Sequence, residues 1–122
     1  MTSGLWGIVN NAGILKSIGP VDWLTADDYR RHCDVNLFGL IDVTMTFLPL
    51  VKKTRGRIVN ISSNLGLMPS PVFTSYSVSK FGVEAFSDAL RYDVLPQYCR
   101  EPKVVSAVQG RTPFTCQACD IH

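Results

Sequence analysis

Three short apolar runs rich in β-branched residues, Leu5 to Val9, Arg57 to Ile61 and Lys103 to Val108, constrain this chain more than any other feature. The first is closed by Asn10 and the second bounded by Gly56 and Ser62, as buried strands are. Between consecutive runs lies a long stretch of helical periodicity, so the order is strand, helix, strand, helix, strand. Connections of that length suit right-handed crossovers between parallel strands. The expected class is α/β: half of a doubly wound, Rossmann-type parallel sheet that takes its ligand at the carboxyl ends of its strands.

The first helix is announced by Thr25 before Ala26-Asp27-Asp28, an N-cap with acids in the first turn and Asp28 at the capping-box position. Leu37, Leu40, Ile41, Thr44 and Leu48 then make one continuous stripe. Pro49 is expected to bend or restart this helix and Gly56 to stop it. Asn64 to Ser75, with Gly66, Pro69 and Pro71, is expected as loop, followed by a second long helix from Ser75 or Tyr76 to about Tyr98. That helix carries Val78, Gly82, Ala85 and Ala89 on one stripe, and Pro96 disturbs its end. Repeats and low-complexity segments are absent.

At 122 residues, with 46% hydrophobic and 18% charged, the chain suits one globular domain. A net charge of +2 gives no case for nucleic acid, and Lys52, Lys53, Arg55 and Arg57 gather where basic residues complement a helix terminus. The four cysteines, Cys33, Cys99, Cys116 and Cys119, lack the spacing of a disulfide framework, which favours a reduced intracellular setting. The N-terminus lacks the charged region of a signal peptide. Leu37 to Val51, the longest apolar candidate, is interrupted by Asp42, two threonines and Pro49, so no membrane segment is expected.

Two polar groups stand at strand ends: Asn10-Asn11-Ala12-Gly13 after the first, and Ser62-Ser63 after the second. Tyr76 and Lys80, four apart, share one helix face, where a cation beside a phenol stabilises its ionised form. Such a phenol can act as a general acid or base. Ser63, thirteen positions before Tyr76, can be brought alongside it by the intervening loop. Ser62 is more simply structural.

Taken in order, Asn10-Asn11-Ala12-Gly13, Asp34-Val35-Asn36-Leu37-Phe38-Gly39, Asn60-Ile61-Ser62-Ser63 and Tyr76-Ser77-Val78-Ser79-Lys80 resemble the short-chain dehydrogenase/reductase family. The resemblance runs from Gly4 to about Gln97. Within the family, Phe47 to Lys53 and Phe81 to Tyr92 are similar to the branch of retinol dehydrogenases, 17β-hydroxysteroid dehydrogenases and D-3-hydroxybutyrate dehydrogenase.

The resemblance implies an NAD- or NADP-dependent oxidoreductase that interconverts a small, lipophilic alcohol and its carbonyl. It implies Tyr76 as acid/base, Ser63 orienting the substrate oxygen, and Lys80 stabilising the Tyr76 phenolate and holding the nicotinamide ribose. Asn36, in a locally disturbed helix, would hold a water that extends the relay. Asn11, Ala12 and Gly13 would line the cofactor, with Asn10 bracing the strands. The two long helices, Ala26 to Lys53 and Ser75 to Tyr98, would pair copies into a homodimer.

The chain also departs from the family pattern. A Gly-rich pyrophosphate turn is missing, as is the residue that chooses between NAD and NADP. Residues 1–108 therefore read as the C-terminal half of the domain and residues 109–122 as an irregular, unrelated tail. Cys116, Cys119 and His122 form at most half of a metal site, so no metal is expected. A second reading follows, in which the chain is catalytically inert and acts, at most, by association.

Overall fold

The computed structural model describes residues 4–94 and 103–107. Strands β1 (Gly7–Asn10), β2 (Arg57–Ile61) and β3 (Lys103–Ala107) form a parallel sheet in the order β1-β2-β3. Ile8 lies opposite Ile58 and Asn10 opposite Asn60. β1 starts later than its apolar run because Leu5 is tied to a helix instead: its N–H donates to the Leu50 carbonyl at 3.2 Å, and Thr54 Oγ1 donates to its own carbonyl at 2.5 Å.

Between β1 and β2 the chain is helical throughout, as α1 (Ala26–Cys33), a π-helical segment (Asp34–Phe38) and α2 (Gly39–Thr54). At its start the Thr25 N–H and hydroxyl both donate to Asp28 Oδ2, at 2.8 and 2.9 Å. The helix runs through Pro49 rather than restarting there. As a continuous span, Ala26–Thr54 is long and apolar enough by length and composition to cross a membrane, contrary to the sequence expectation. Here it packs against β1, β2 and the helix that follows β2, with His32, Asn36 and Thr44 buried and hydrogen-bonded inside the fold.

The helix stop also differs from expectation. Arg55, not Gly56, takes the left-handed conformation (φ 53°), with Arg55 N–H bonding the Lys52 carbonyl and Gly56 N–H the Val51 carbonyl. Gly56 is needed for a different reason: a Cβ there would lie 2.4 Å from the Trp6 carbonyl oxygen.

After β2, Ser63 N-caps a short turn (Asn64–Gly66), and α3 (Thr74–Val94) begins just before the predicted start. The predicted stripe of Val78, Gly82, Ala85 and Ala89 faces largely outward. The buried stripe is Ser79, Lys80, Val83, Ser87, Leu90 and Val94, and its polar members escape a hydrophobicity count. The predicted end of this helix near Tyr98, the tail from Gln109, and Cys116, Cys119 and His122 lie outside the described residues.

Because the strand order advances in one direction, right-handed crossovers put α2 and α3 on the same face of the sheet. There Ile8, Val51, Ile58, Leu90 and Val94 form the core, flanked by Leu5, Leu48 and Phe86. On the opposite face Val9 is 66% exposed. A polar chain crosses the core. Asn10 Nδ2 donates to Thr44 Oγ1 at 2.9 Å and to Asn60 Oδ1 at 2.8 Å, and Asn60 Nδ2 donates to Ser87 Oγ at 2.8 Å. Asn10 thus braces strands and helices.

Candidate active site

The carboxyl ends of β1 and β2 open toward the start of α3. Beyond Asn10 the sequence lacks any apolar run that would extend the strand, and Asn11, Ala12 and Gly13 stand exposed in the loop that leaves it. What holds that loop is Asn36, which is fully buried on the π-helical segment. Its amide pairs with the backbone of Ile14 in both directions: Ile14 N–H donates to Oδ1 at 2.7 Å, and Nδ2 donates to the Ile14 carbonyl at 3.0 Å. The same Nδ2 donates to Ser79 Oγ at 3.0 Å, and that hydroxyl donates to the Tyr76 carbonyl at 2.7 Å. A wider helical turn at Asn36 is the kind of local distortion that re-aims a side chain at a functional position.

Tyr76 is half-buried in the first turns of α3, and Lys80 follows one turn later with only 4% of its surface exposed. The Lys80 ammonium donates to the Ile61 carbonyl at 3.0 Å and lies 5.7 Å from the centre of the Tyr76 ring. Burial pushes the Lys80 pKa below its ordinary value, because the charged form loses water. Gly13 comes to the same place. A Cβ built on it would sit 3.5 Å from Asn36 Oδ1 and 3.6 Å from Lys80 Nζ.

Ser63 is half-buried at the end of β2, and its Oγ accepts the Leu65 N–H at 3.2 Å, which leaves its own hydrogen free to donate. Ser62 is buried, and its hydroxyl has no partner among the described residues. The turn after them presses on α3: a Cβ at Gly66 would lie 2.8 Å from the Lys80 carbonyl oxygen. The loop after β1 and the loop before α3 are joined by the Gly19 N–H, which donates to the Val72 carbonyl at 2.9 Å.

Geometry therefore gathers Gly13, Asn36, Tyr76 and Lys80, sets the Ser63 turn against Lys80, and leaves Asn11 and Ala12 on the adjoining loop. Two residues that the sequence motifs did not single out belong to the same cluster. Ser79 links Asn36 to Tyr76, and its position three after Tyr76 was the available signal. His32, four before Asn36 and so on the same helix face, packs against Tyr76.

A parallel α/β sheet with a buried lysine beside a tyrosine at its carboxyl edge is part of a Rossmann-type fold. The chain belongs to the short chain dehydrogenase family, whose model matches residues 1–110. It is 57% identical over 91 residues to bovine dehydrogenase/reductase SDR family member 9, covering 75% of this chain and 28% of that protein. Rat retinol dehydrogenase 7 is 54% identical over 91 residues, with the same coverage of each chain. Rat mitochondrial D-beta-hydroxybutyrate dehydrogenase is 50% identical over 93 residues, covering 76% of this chain and 27% of that one. Among solved structures, a short-chain dehydrogenase from Streptomyces avermitilis superposes with a TM-score of 0.75 at 30% identity, over 84% of this chain and 37% of its own. The chain thus spans less than a third of the length of these curated relatives.

Proposed function

We propose that the chain carries the proton-relay part of an NAD- or NADP-dependent oxidoreductase that interconverts an alcohol and its carbonyl. The observation that carries this reading is the approach of Gly13, Asn36 and Tyr76 to the buried Lys80 ammonium. Tyr76 gives a proton to, or takes one from, the substrate oxygen, and Ser63 donates its free hydrogen to the same atom. Lys80, held at the Ile61 carbonyl, favours the phenolate of Tyr76 through its charge. The Asn36 amide is committed to Ile14 and Ser79, so a relay water at Asn36 would sit on its main-chain carbonyl.

The residues present fit the ribose end of a dinucleotide. Gly13 leaves open the space that a side chain would fill beside Lys80 Nζ, and Asn11 and Ala12 are exposed along the same loop. Lys80 would bond the ribose, and Asn11, Ala12 and Gly13 would line the adenosine side. A bound nicotinamide would supply or accept the hydride that the protein itself cannot.

For the substrate, the rim favours a lipophilic molecule: Leu15, Ile18, Leu67, Met68 and Val72 are exposed on the two loops joined through Gly19 and Val72. Retinol and a 3-hydroxybutyrate-like acid are the candidates that the relatives suggest, and the sequence resemblance adds a hydroxysteroid. Exposed Phe38, Met45, Val78 and Phe81 favour pairing of two copies through the long helices.

Calorimetry of the 122-residue chain with NADH and NADPH tests this reading. Micromolar binding of either supports it. No binding at millimolar cofactor by a folded chain favours the inert reading. Where turnover is measured, Tyr76→Phe should lower it by at least about 100-fold with little loss of stability; unchanged turnover would remove Tyr76 from its role.

A further inference from the structure

His32 is polar, lies on α1 and has no exposed surface. Its Nδ1 lies 2.9 Å from the Asp28 carbonyl oxygen, and its Nε2 lies 3.2 Å from the Lys16 backbone nitrogen. A backbone N–H only donates and a carbonyl only accepts. These partners therefore fix the neutral ring with its proton on Nδ1. Two bonds from opposite sides of the imidazole leave it little freedom to turn. That fixed ring meets Tyr76 edge to face, with centroids 6.2 Å apart and planes at 83°.

We infer that His32 is a positioning residue for the Tyr76 phenol, coupling the loop after Gly13 to the acid/base; this rests on the reading of Tyr76 given above. Simple burial does not need an imidazole at this position. An apolar side chain would fill the same space without two backbone partners. The bonds orient the ring, and the ring bounds the rotation of Tyr76. Lys16 lies three residues past Gly13, so one side chain relates the loop that would flank the cofactor to the group that would move the proton.

Two variants of the full chain separate positioning from packing. His32→Phe keeps a ring against Tyr76 and loses both hydrogen bonds. His32→Gln loses the ring and keeps an acceptor within reach of the Lys16 N–H. Phe should therefore be the less stable of the two, since it leaves the Lys16 N–H without its side-chain acceptor. Function should follow the opposite order. The Gln variant should lose about 10- to 100-fold in kcat, as expected when a reacting group is misplaced by about an ångström, with KM within about threefold; Phe should keep kcat within about threefold.

A second readout needs no activity. Three-bond couplings of isotope-labelled Tyr76 should report one χ1 rotamer in the parent and the Phe variant, and averaged rotamers in the Gln variant. A single Tyr76 rotamer in the Gln variant, or kcat values that follow stability, would overturn the inference. If the parent shows no turnover while the rotamer pattern holds, positioning stands and the catalytic reading of Tyr76 fails.

Discussion

Lys80 reaches back across the base of the site so that its ammonium bonds the Ile61 carbonyl at 3.0 Å while lying 5.7 Å from the centre of the Tyr76 ring. The charge is thus held by strand β2 rather than by a carboxylate. Its cost is desolvation, which lowers the Lys80 pKa. Below that lowered value the lysine is protonated in both folded and unfolded chains, and the folded state bears the full cost. As pH rises through it toward the ordinary value of 10.5, the unfolded chain holds the extra proton and stability increases. Denaturant unfolding from pH 7 upward should show this gain in the parent and not in Lys80→Met.

Asp28 behaves with the opposite sign. The Ser17 hydroxyl, which donates to it at 2.5 Å, and then the Thr25 backbone and hydroxyl hold its pKa at about 2, from 3.8. Its stabilisation is complete above about pH 4 and is lost as pH falls through 3.8 toward 2. Asp28→Asn should be less stable at neutral pH and should lose less than the parent between pH 4 and 2, followed by circular dichroism. Equal acid slopes would remove Asp28 as the cause.

Asn36→Ala should cost about 2 kcal/mol, because it removes the partners of the partly buried Ile14 N–H and carbonyl. The more specific signature is hydrogen exchange. The Ile14 amide should lose protection by a larger factor than amides of β2, and a uniform loss would indicate global destabilisation alone.

Val72 holds a left-handed backbone (φ 64°), a conformation that a β-branched residue rarely takes, while its carbonyl accepts the Gly19 N–H. Val72→Asn should raise stability by about 1 kcal/mol, since asparagine tolerates this region and the side chain is partly exposed. Chemical denaturation checks it, and a destabilised variant would show that the Val72 side chain contributes more than its backbone strain costs.

What the sequence conveyed was local. The β2 run, bounded by Gly56 and Ser62, carries its whole signal within a few residues, as does the spacing of Tyr76 and Lys80. The spacings of Ser79 from Tyr76 and of His32 from Asn36 were equally local, but what makes them matter was not, because Asn36 reaches Ser79 and Lys16 reaches His32 only in the folded chain. The buried stripe of α3 was misjudged for a related reason: Ser79 and Ser87 are interior because they are hydrogen-bonded, whereas Val78 is the apolar residue left outside. Pro49 and Arg55 overrode local expectation where tertiary packing and a backbone turn supplied the missing stability.

The amide pair between Asn10 and Asn60 discriminates among misfolded alternatives. An apolar parallel sheet can slip by two residues and still present hydrophobic side chains to the same layer. In this one, such a slip would set an isoleucine against an asparagine and leave buried amides unpaired, at about 1–3 kcal/mol for each unsatisfied group. The pair acts as a proofreading element for strand alignment, and it fixes how far Gly13 projects past β1 relative to Ser63 past β2.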